Sequence, residues 1–236
     1  MDENDLFVMD EELENPSDLT IDDGKEDLDF EEGNEFVVSM HCTKEKSSHC
    51  GCGVIVGDYL VTAGHVAKDK TTEGLLNDIF VLFRGDFVDL HKEDIVYDGR
   101  ENKDVDEIHD DLIIYRFNVQ SPLCLNDDGL KEDLLLYSKY FDYDDSTDRL
   151  QPFKTECNVI TIQSSSLDNT IKWSNCFIVN NPSAFKDGNS GCPVYRKQDV
   201  YGILLKEKRY QNSDRCYTFL SAGYIIQKIN EYEHQL

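Results

Sequence analysis

The chain has 236 residues, with 48 Asp and Glu against 23 Lys and Arg, a formal net charge of −25, and 39% hydrophobic residues. Such a charge excludes a general nucleic-acid binder, which needs cations to neutralise phosphates, and disfavours docking on anionic membranes. The longest stretch free of Asp, Glu, Lys and Arg, Trp173–Phe185, is only 13 residues, against the ~20 apolar residues of a membrane span.

In chain order, the first region is acidic. Residues 1–35 hold 16 acids and one lysine, whereas the remaining 201 hold 32 acids and 22 bases. Residues 1–34 read either as a solvated tail or as a regulatory segment covering a groove of the same chain. The start, Met-Asp-Glu-Asn-Asp-Leu, has no basic residue and no apolar core of a secretory signal, so a cytoplasmic location is expected.

From Glu35 the pattern is one of short strands. Phe36–Met40 is rich in β-formers. Gly53–Val56 and Tyr59–Thr62 flank the turn dipeptide Gly57-Asp58. Further apolar runs are Ile79–Phe83, Leu112–Phe117, Cys157–Ile162, Ile171–Val179, Val194–Tyr195, Val200–Leu205 and Tyr217–Ser221. Most are four to eight residues long and bounded by Gly, Asn, Asp or Pro, the signature of an all-β sandwich or barrel. Leu123–Tyr137 has some helical character through Leu130, Leu134 and Leu135. Ile225, Ile226, Ile229 and Tyr232 recur at helical spacing, which predicts a closing helix over Tyr224–Glu233.

Eight cysteines are spread irregularly along the chain, and without a signal segment reduced thiols are expected. His41, Cys42, His49, Cys50 and Cys52 form the one tight group. A Cys-x-Cys on a strand turns both sulfurs to one face, a weak zinc pattern beside the usual Cys-x(2–4)-Cys. Cys50 and Cys52 therefore read first as core, and no metal or other cofactor is expected.

Three segments carry candidate chemistry. In Val61-Thr-Ala-Gly-His65 a strand ends in small residues followed by a potential base. In Asp110-Asp111-Leu-Ile-Ile-Tyr a carboxylate precedes an apolar strand. In Gly188-Asn-Ser190-Gly191-Cys-Pro a serine sits in a glycine-rich turn able to aim successive N–H groups at one point. Asp111 follows His65 by 46 residues, and Ser190 follows Asp111 by 79.

These three motifs, in the order His, Asp, Ser, resemble those of the chymotrypsin-like (trypsin-like) serine peptidases. The resemblance covers about residues 35–230. Cys50-Gly-Cys-Gly-Val-Ile and Val200-Tyr-Gly-Ile-Leu-Leu205 resemble further strands of that family. It implies a double antiparallel β-barrel with a short C-terminal helix, its halves spanning about 35–125 and 126–236. It implies a serine endopeptidase acting on protein or peptide substrates. Ser190 would be the nucleophile, His65 the general base and acid, and Asp111, rather than Asp110, the group orienting the imidazole. The N–H groups of Gly188 and Ser190 would form an oxyanion hole. Ala184, Leu205 and Lys206 would line the substrate pocket. Ala184 stands where trypsin-type members carry an acid, so a preference for Arg or Lys is not expected. A catalytically silent binding module on the same fold is the competing expectation.

The departures from the family are specific. Asn189 replaces the aspartate that pairs with a newly cleaved N-terminus, and Gly188-Asn-Ser-Gly is closer to bacterial members than to secreted digestive enzymes. Val66 stands where a cysteine would pair with the Cys50 position. Cys192 replaces the second glycine of the motif, a larger side chain able to shift the turn.

Overall fold

The computed structural model describes residues 35–67, 78–99, 111–144, 149–161, 175–181, 185–209 and 215–235, with the backbone alone for 206–209. The acidic residues 1–34 lie outside that set.

The described chain forms fourteen strands and one α-helix. The first seven strands are β1 (Val37–His41), β2 (His49–Val56), β3 (Tyr59–Ala63), β4 (Ile79–Phe83), β5 (Asp86–Leu90), β6 (Ile95–Asp98) and β7 (Leu112–Arg116). They make one antiparallel sheet in the order β5-β4-β1-β2-β3-β7-β6. This sheet is a half-barrel, and Gly57, with φ +57°, makes the predicted β2–β3 turn.

The second group comprises β8 (Cys124–Leu125), β9 (Leu135–Asp144), β10 (Arg149–Thr161), β11 (Cys176–Asn180), β12 (Pro193–Arg196), β13 (Asp199–Arg209) and β14 (Arg215–Ser221). Strands β12-β9-β10-β11-β14-β13 close on themselves through the β12–β13 pairing, and short β8 adds in parallel to β13. A closed barrel removes the exposed sheet edge, which a half-barrel retains. The expected all-β, two-barrel architecture with a C-terminal helix is the one the chain adopts.

Alternation builds the closed barrel. On β10, Thr155, Cys157 and Val159 are buried, whereas Glu156, Asn158 and Ile160 between them face solvent. The barrel interior is filled by Leu136, Cys157, Val159, Phe177, Val194, Tyr217 and Phe219. A second, larger core runs from Val38, Val54 and Ile114 of the half-barrel to Ile203, Leu205 and Ile225 of the other half. The halves are therefore joined by continuous apolar packing.

Helix α1 (Ala222–Glu233) starts two residues before the predicted Tyr224. The Ser221 side chain caps it by accepting from the Gly223 N–H, and Ala222, Ile225 and Ile229 form its buried stripe. The helix also bridges the halves, because Tyr59 Oη donates to Glu233 Oε1 at 2.7 Å.

One secondary-structure expectation is overturned. Leu123–Tyr137 contains no helix: it holds β8, a turn region and the start of β9. The leucine spacing misled. Leu136, Ser138 and Tyr140 point inward along β9 while their neighbours are partly or more exposed, a period of two. A buried polar Ser138 and a run of tyrosines on both faces hide that period in the sequence.

Candidate active site

The register of β3 and β7 brings two of the three chemical segments together. Ala63 pairs with Leu112, so the residues just beyond that pair, His65 and Asp111, emerge side by side at one end of the half-barrel. Asp111 grips His65 twice. Its Oδ1 accepts from the His65 backbone N–H at 2.7 Å, and its Oδ2 lies 2.5 Å from His65 Nδ1. The imidazole side chain is 44% exposed and the carboxylate 18%, so the ring is open to the cleft while the acid behind it is shielded. Asp111 also faces the closed barrel. Burial pushes the Cys176 thiol, at the start of β11, up to about 12, and the Asp111 charge adds to that shift.

The third segment docks on the same end of the half-barrel. The Ser190 carbonyl accepts from the Cys52 N–H at 2.8 Å, and the Cys52 carbonyl accepts from Thr62 Oγ1 at 2.6 Å. Thr62 lies three residues before His65. A Cβ on Gly191 would sit 2.1 Å from the Cys52 carbonyl oxygen, and Gly191 has φ +85°. Glycine is thus required here both for close approach and for backbone conformation. Among the described residues, no hydrogen bond joins Ser190 Oγ to His65. The histidine and the aspartate are hydrogen-bonded, while the serine is brought to their end of the sheet by its backbone.

Asn189 is wholly buried and secures the turn from within the closed barrel. Its Oδ1 accepts from the Lys186 N–H at 2.6 Å, and its Nδ2 donates to the Phe141 carbonyl at 2.7 Å. A neutral amide thereby holds the turn through two hydrogen bonds. Gly188 has φ +92°. Among the described residues no hydrogen bond from the N–H groups of Gly188 and Ser190 is formed. Cys192 is fully buried, with its sulfur 3.4 Å from Ser138 Oγ.

Of the expected pocket residues, Ala184 lies outside the described set. Leu205 is buried in the core that joins the halves. Lys206 is described by its backbone alone, paired with Thr218 of β14. The ring of Phe185, beside Ala184, stands edge-on to Tyr217 at 4.8 Å and to Tyr140 at 5.3 Å, which commits it to the barrel core. Asp110, the competing acid, is outside the described residues.

No disulfide joins any of the eight cysteines, all of them among the described residues. Val66, expected opposite the Cys50 position, packs instead on Gly51, where a Cβ would meet its two methyls at 2.4 and 2.5 Å. Among the described residues no group of three or more His, Cys, Asp or Glu is arranged to hold a metal ion. Instead His41 and His49 both bond Ser39 Oγ, each at 2.8 Å, and His49 Nε2 lies 2.9 Å from the Gly188 carbonyl oxygen. Sequence reasoning missed Ser39 and His49 as supports of the serine turn. The signal was slight, a histidine next to Cys50, because β1, β2 and residue 188 meet only in three dimensions.

No protein-family model and no curated protein sequence matches the chain. Solved structures do. The chain is similar to mouse neuropsin, a serine protease expressed in the limbic system of the brain, with a TM-score of 0.63 and 12% identity over 85% of this chain and 95% of that one. It is also similar to the inactive form of a serine-to-alanine mutant of Rv3671c from M. tuberculosis H37Rv, with a TM-score of 0.58 and 14% identity over 88% and 91%. A second inactive-form structure, of the Rv3671c protease, gives 0.57 and 14% over 86% and 92%. The fold is therefore that of the chymotrypsin-like serine proteases.

Proposed function

We propose that this chain is a serine endopeptidase that cleaves peptide bonds through an acyl-enzyme. The observation that carries the reading is the double hydrogen bond from Asp111 to His65. An Nδ1–H donated to a carboxylate leaves Nε2 unprotonated and basic. The Ser190 hydroxyl attacks the substrate carbonyl while His65 takes its proton. The same proton passes to the departing amine as the tetrahedral adduct collapses to the ester. Water then repeats the sequence and releases the acid. The N–H groups of Gly188 and Ser190 stabilise the oxyanion, and one such donor is worth about 3–4 kcal/mol of barrier. The Gly188-Asn189-Ser190-Gly191 turn supports a place nearer the bacterial members of this fold.

The test is labelling with a serine-directed fluorophosphonate. The parent chain should label and hydrolyse a peptide library, and Ser190→Ala should do neither. The unbonded Ser190 hydroxyl favours the second reading, a silent binding module; catalytic hydrogen bonds are often loose until substrate is bound. A folded parent chain that never labels would establish that second reading.

A further inference from the structure

Behind the serine turn runs a chain of four polar contacts. Ser39 Oγ stands between His41 Nε2 and His49 Nδ1, 2.8 Å from each. At the outer ends, His41 Nδ1 is 3.0 Å from the Glu45 carbonyl oxygen and His49 Nε2 is 2.9 Å from the Gly188 carbonyl oxygen. The register of β1 and β2 sets His41 opposite His49 at a bulge, with the two rings 5.7 Å apart and Ser39 beside both. Ser39 and His41 are wholly buried.

Counting hydrogens exposes a deficit. A carbonyl only accepts, so each outer ring nitrogen must carry a hydrogen. A neutral imidazole has one N–H. With both rings neutral, the two inner nitrogens are bare, and both face one hydroxyl with one hydrogen. Three hydrogens must then serve four contacts. One added proton completes the chain. His49, as imidazolium, donates to Gly188 and to Ser39; Ser39 donates to His41; and His41 donates to Glu45. A second proton does not fit. Ser39 would then face two N–H donors, its own hydrogen would lack an acceptor in the chain, and two cations would share one pocket.

We propose that His41, Ser39 and His49 form one positioning relay for the serine turn, which takes up a single proton as a unit and thereby tightens its hold on the Gly188 carbonyl. The effect on turnover rests on the peptidase reading, since Gly188 lies two residues before Ser190; the proton count does not.

The surroundings place the charge on His49. Burial lowers the His49 pKa, while the Gly188 carbonyl, the Asp142 carboxylate of β9 and the Met40 and Phe141 carbonyls work against that shift, although Lys186 pairs with Asp142 at 2.6 Å and offsets part of that field. His41 faces the edge of Phe87 at 5.1 Å and the charge of Lys46. Burial, followed by the charge of His49, holds the His41 pKa down to about 4, and burial also lowers that of His49. The proton therefore enters on the acid side of the ordinary imidazole range. The bond to Gly188 then becomes charge-assisted, which is the stronger kind.

The experiment is a histidine-ring nitrogen NMR titration of the full chain from pH 8 to pH 4. His41 and His49 should move with one shared midpoint, together gaining one proton, while the Asn189 amide follows that midpoint. Ser39→Ala should split the midpoint in two. His49→Gln, assayed at pH 8, should lower kcat about fivefold, the worth of one neutral hydrogen bond, at unchanged KM. Uptake of two protons, or an Asn189 amide indifferent to the midpoint, overturns the relay. Should Ser39→Ala not fold, the proton count in the parent chain decides alone. A parent chain that titrates as described yet fails to label with fluorophosphonate keeps the relay and removes the peptidase; labelling with two independent midpoints does the reverse.

Discussion

The two halves hold their parts of the site by different means. In the half-barrel, strand register does the work: the Ala63–Leu112 pair sets His65 beside Asp111, and slipping it would turn every residue of the strand to the other face. In the closed barrel, the serine lies in a turn between strands, and side chains hold it. Asn189 ties it to Phe141, and His49 reaches across from the half-barrel to Gly188. The placement of a dyad built on register survives single side-chain changes; the placement of a turn built on side-chain contacts is sensitive to each of them. The turn is thus the part of the site open to adjustment.

The comparison can be broken first at the dyad. Asp111→Asn keeps the shape but presents an N–H donor or a weaker acceptor to His65, disfavouring the productive tautomer. It should lower kcat by about 10,000-fold with little change in thermal stability, checked by steady-state kinetics and a melting curve. A loss of stability as large as the loss of rate would mean that the pair supports the sheet rather than the chemistry.

The next effect concerns the joint between the halves. Gly191→Ala forces a Cβ against the Cys52 carbonyl at a positive φ. It should cost about 3 kcal/mol or more in urea unfolding and abolish labelling of Ser190. Wild-type stability would show that the turn does not lie against β2.

Within the closed barrel, Asn189→Ala removes the buried amide that accepts from the Lys186 N–H and donates to the Phe141 carbonyl. The expected loss is about 2–3 kcal/mol, read by the same unfolding assay. Labelling should fall more steeply than stability, because the turn loosens before the barrel opens.

The smallest effect sharpens the picture of the shared core. Burial pushes the thiols of Cys52, Cys157 and Cys176 up to about 12. A raised thiol pKa means the neutral, unreactive form persists from neutral pH to the upper end of that range. A thiol reagent at pH 8 should modify exposed Cys42 and Cys124 at once and these three only after denaturant is added. Fast reaction of Cys52 or Cys176 in the native chain would show that the halves part readily.

Much of this was readable from residues. The strand-turn-strand of Gly53–Thr62, the closing helix and the three chemical motifs each depend on local order: alternation, a turn dipeptide, a helical stripe, small residues before a histidine. Strands β5 and β6 escaped notice because they are short and partly exposed, with charged residues in the pattern. β9 escaped because its inward positions include a serine and its tyrosines fall on both faces.

By itself, then, the sequence determined which residue types stand at each turn and strand end, since backbone preference and hydrophobic period act between near neighbours. Only the tertiary structure decided that Asp111 grips His65 twice, that Asn189 holds the turn with two hydrogen bonds, and that Ser39 and His49 stand behind Gly188. The Asp111–His65, Asn189–Phe141 and His49–Gly188 contacts join residues 46, 48 and 139 positions apart. Their existence depends on how two sheets pack, which no local pattern encodes.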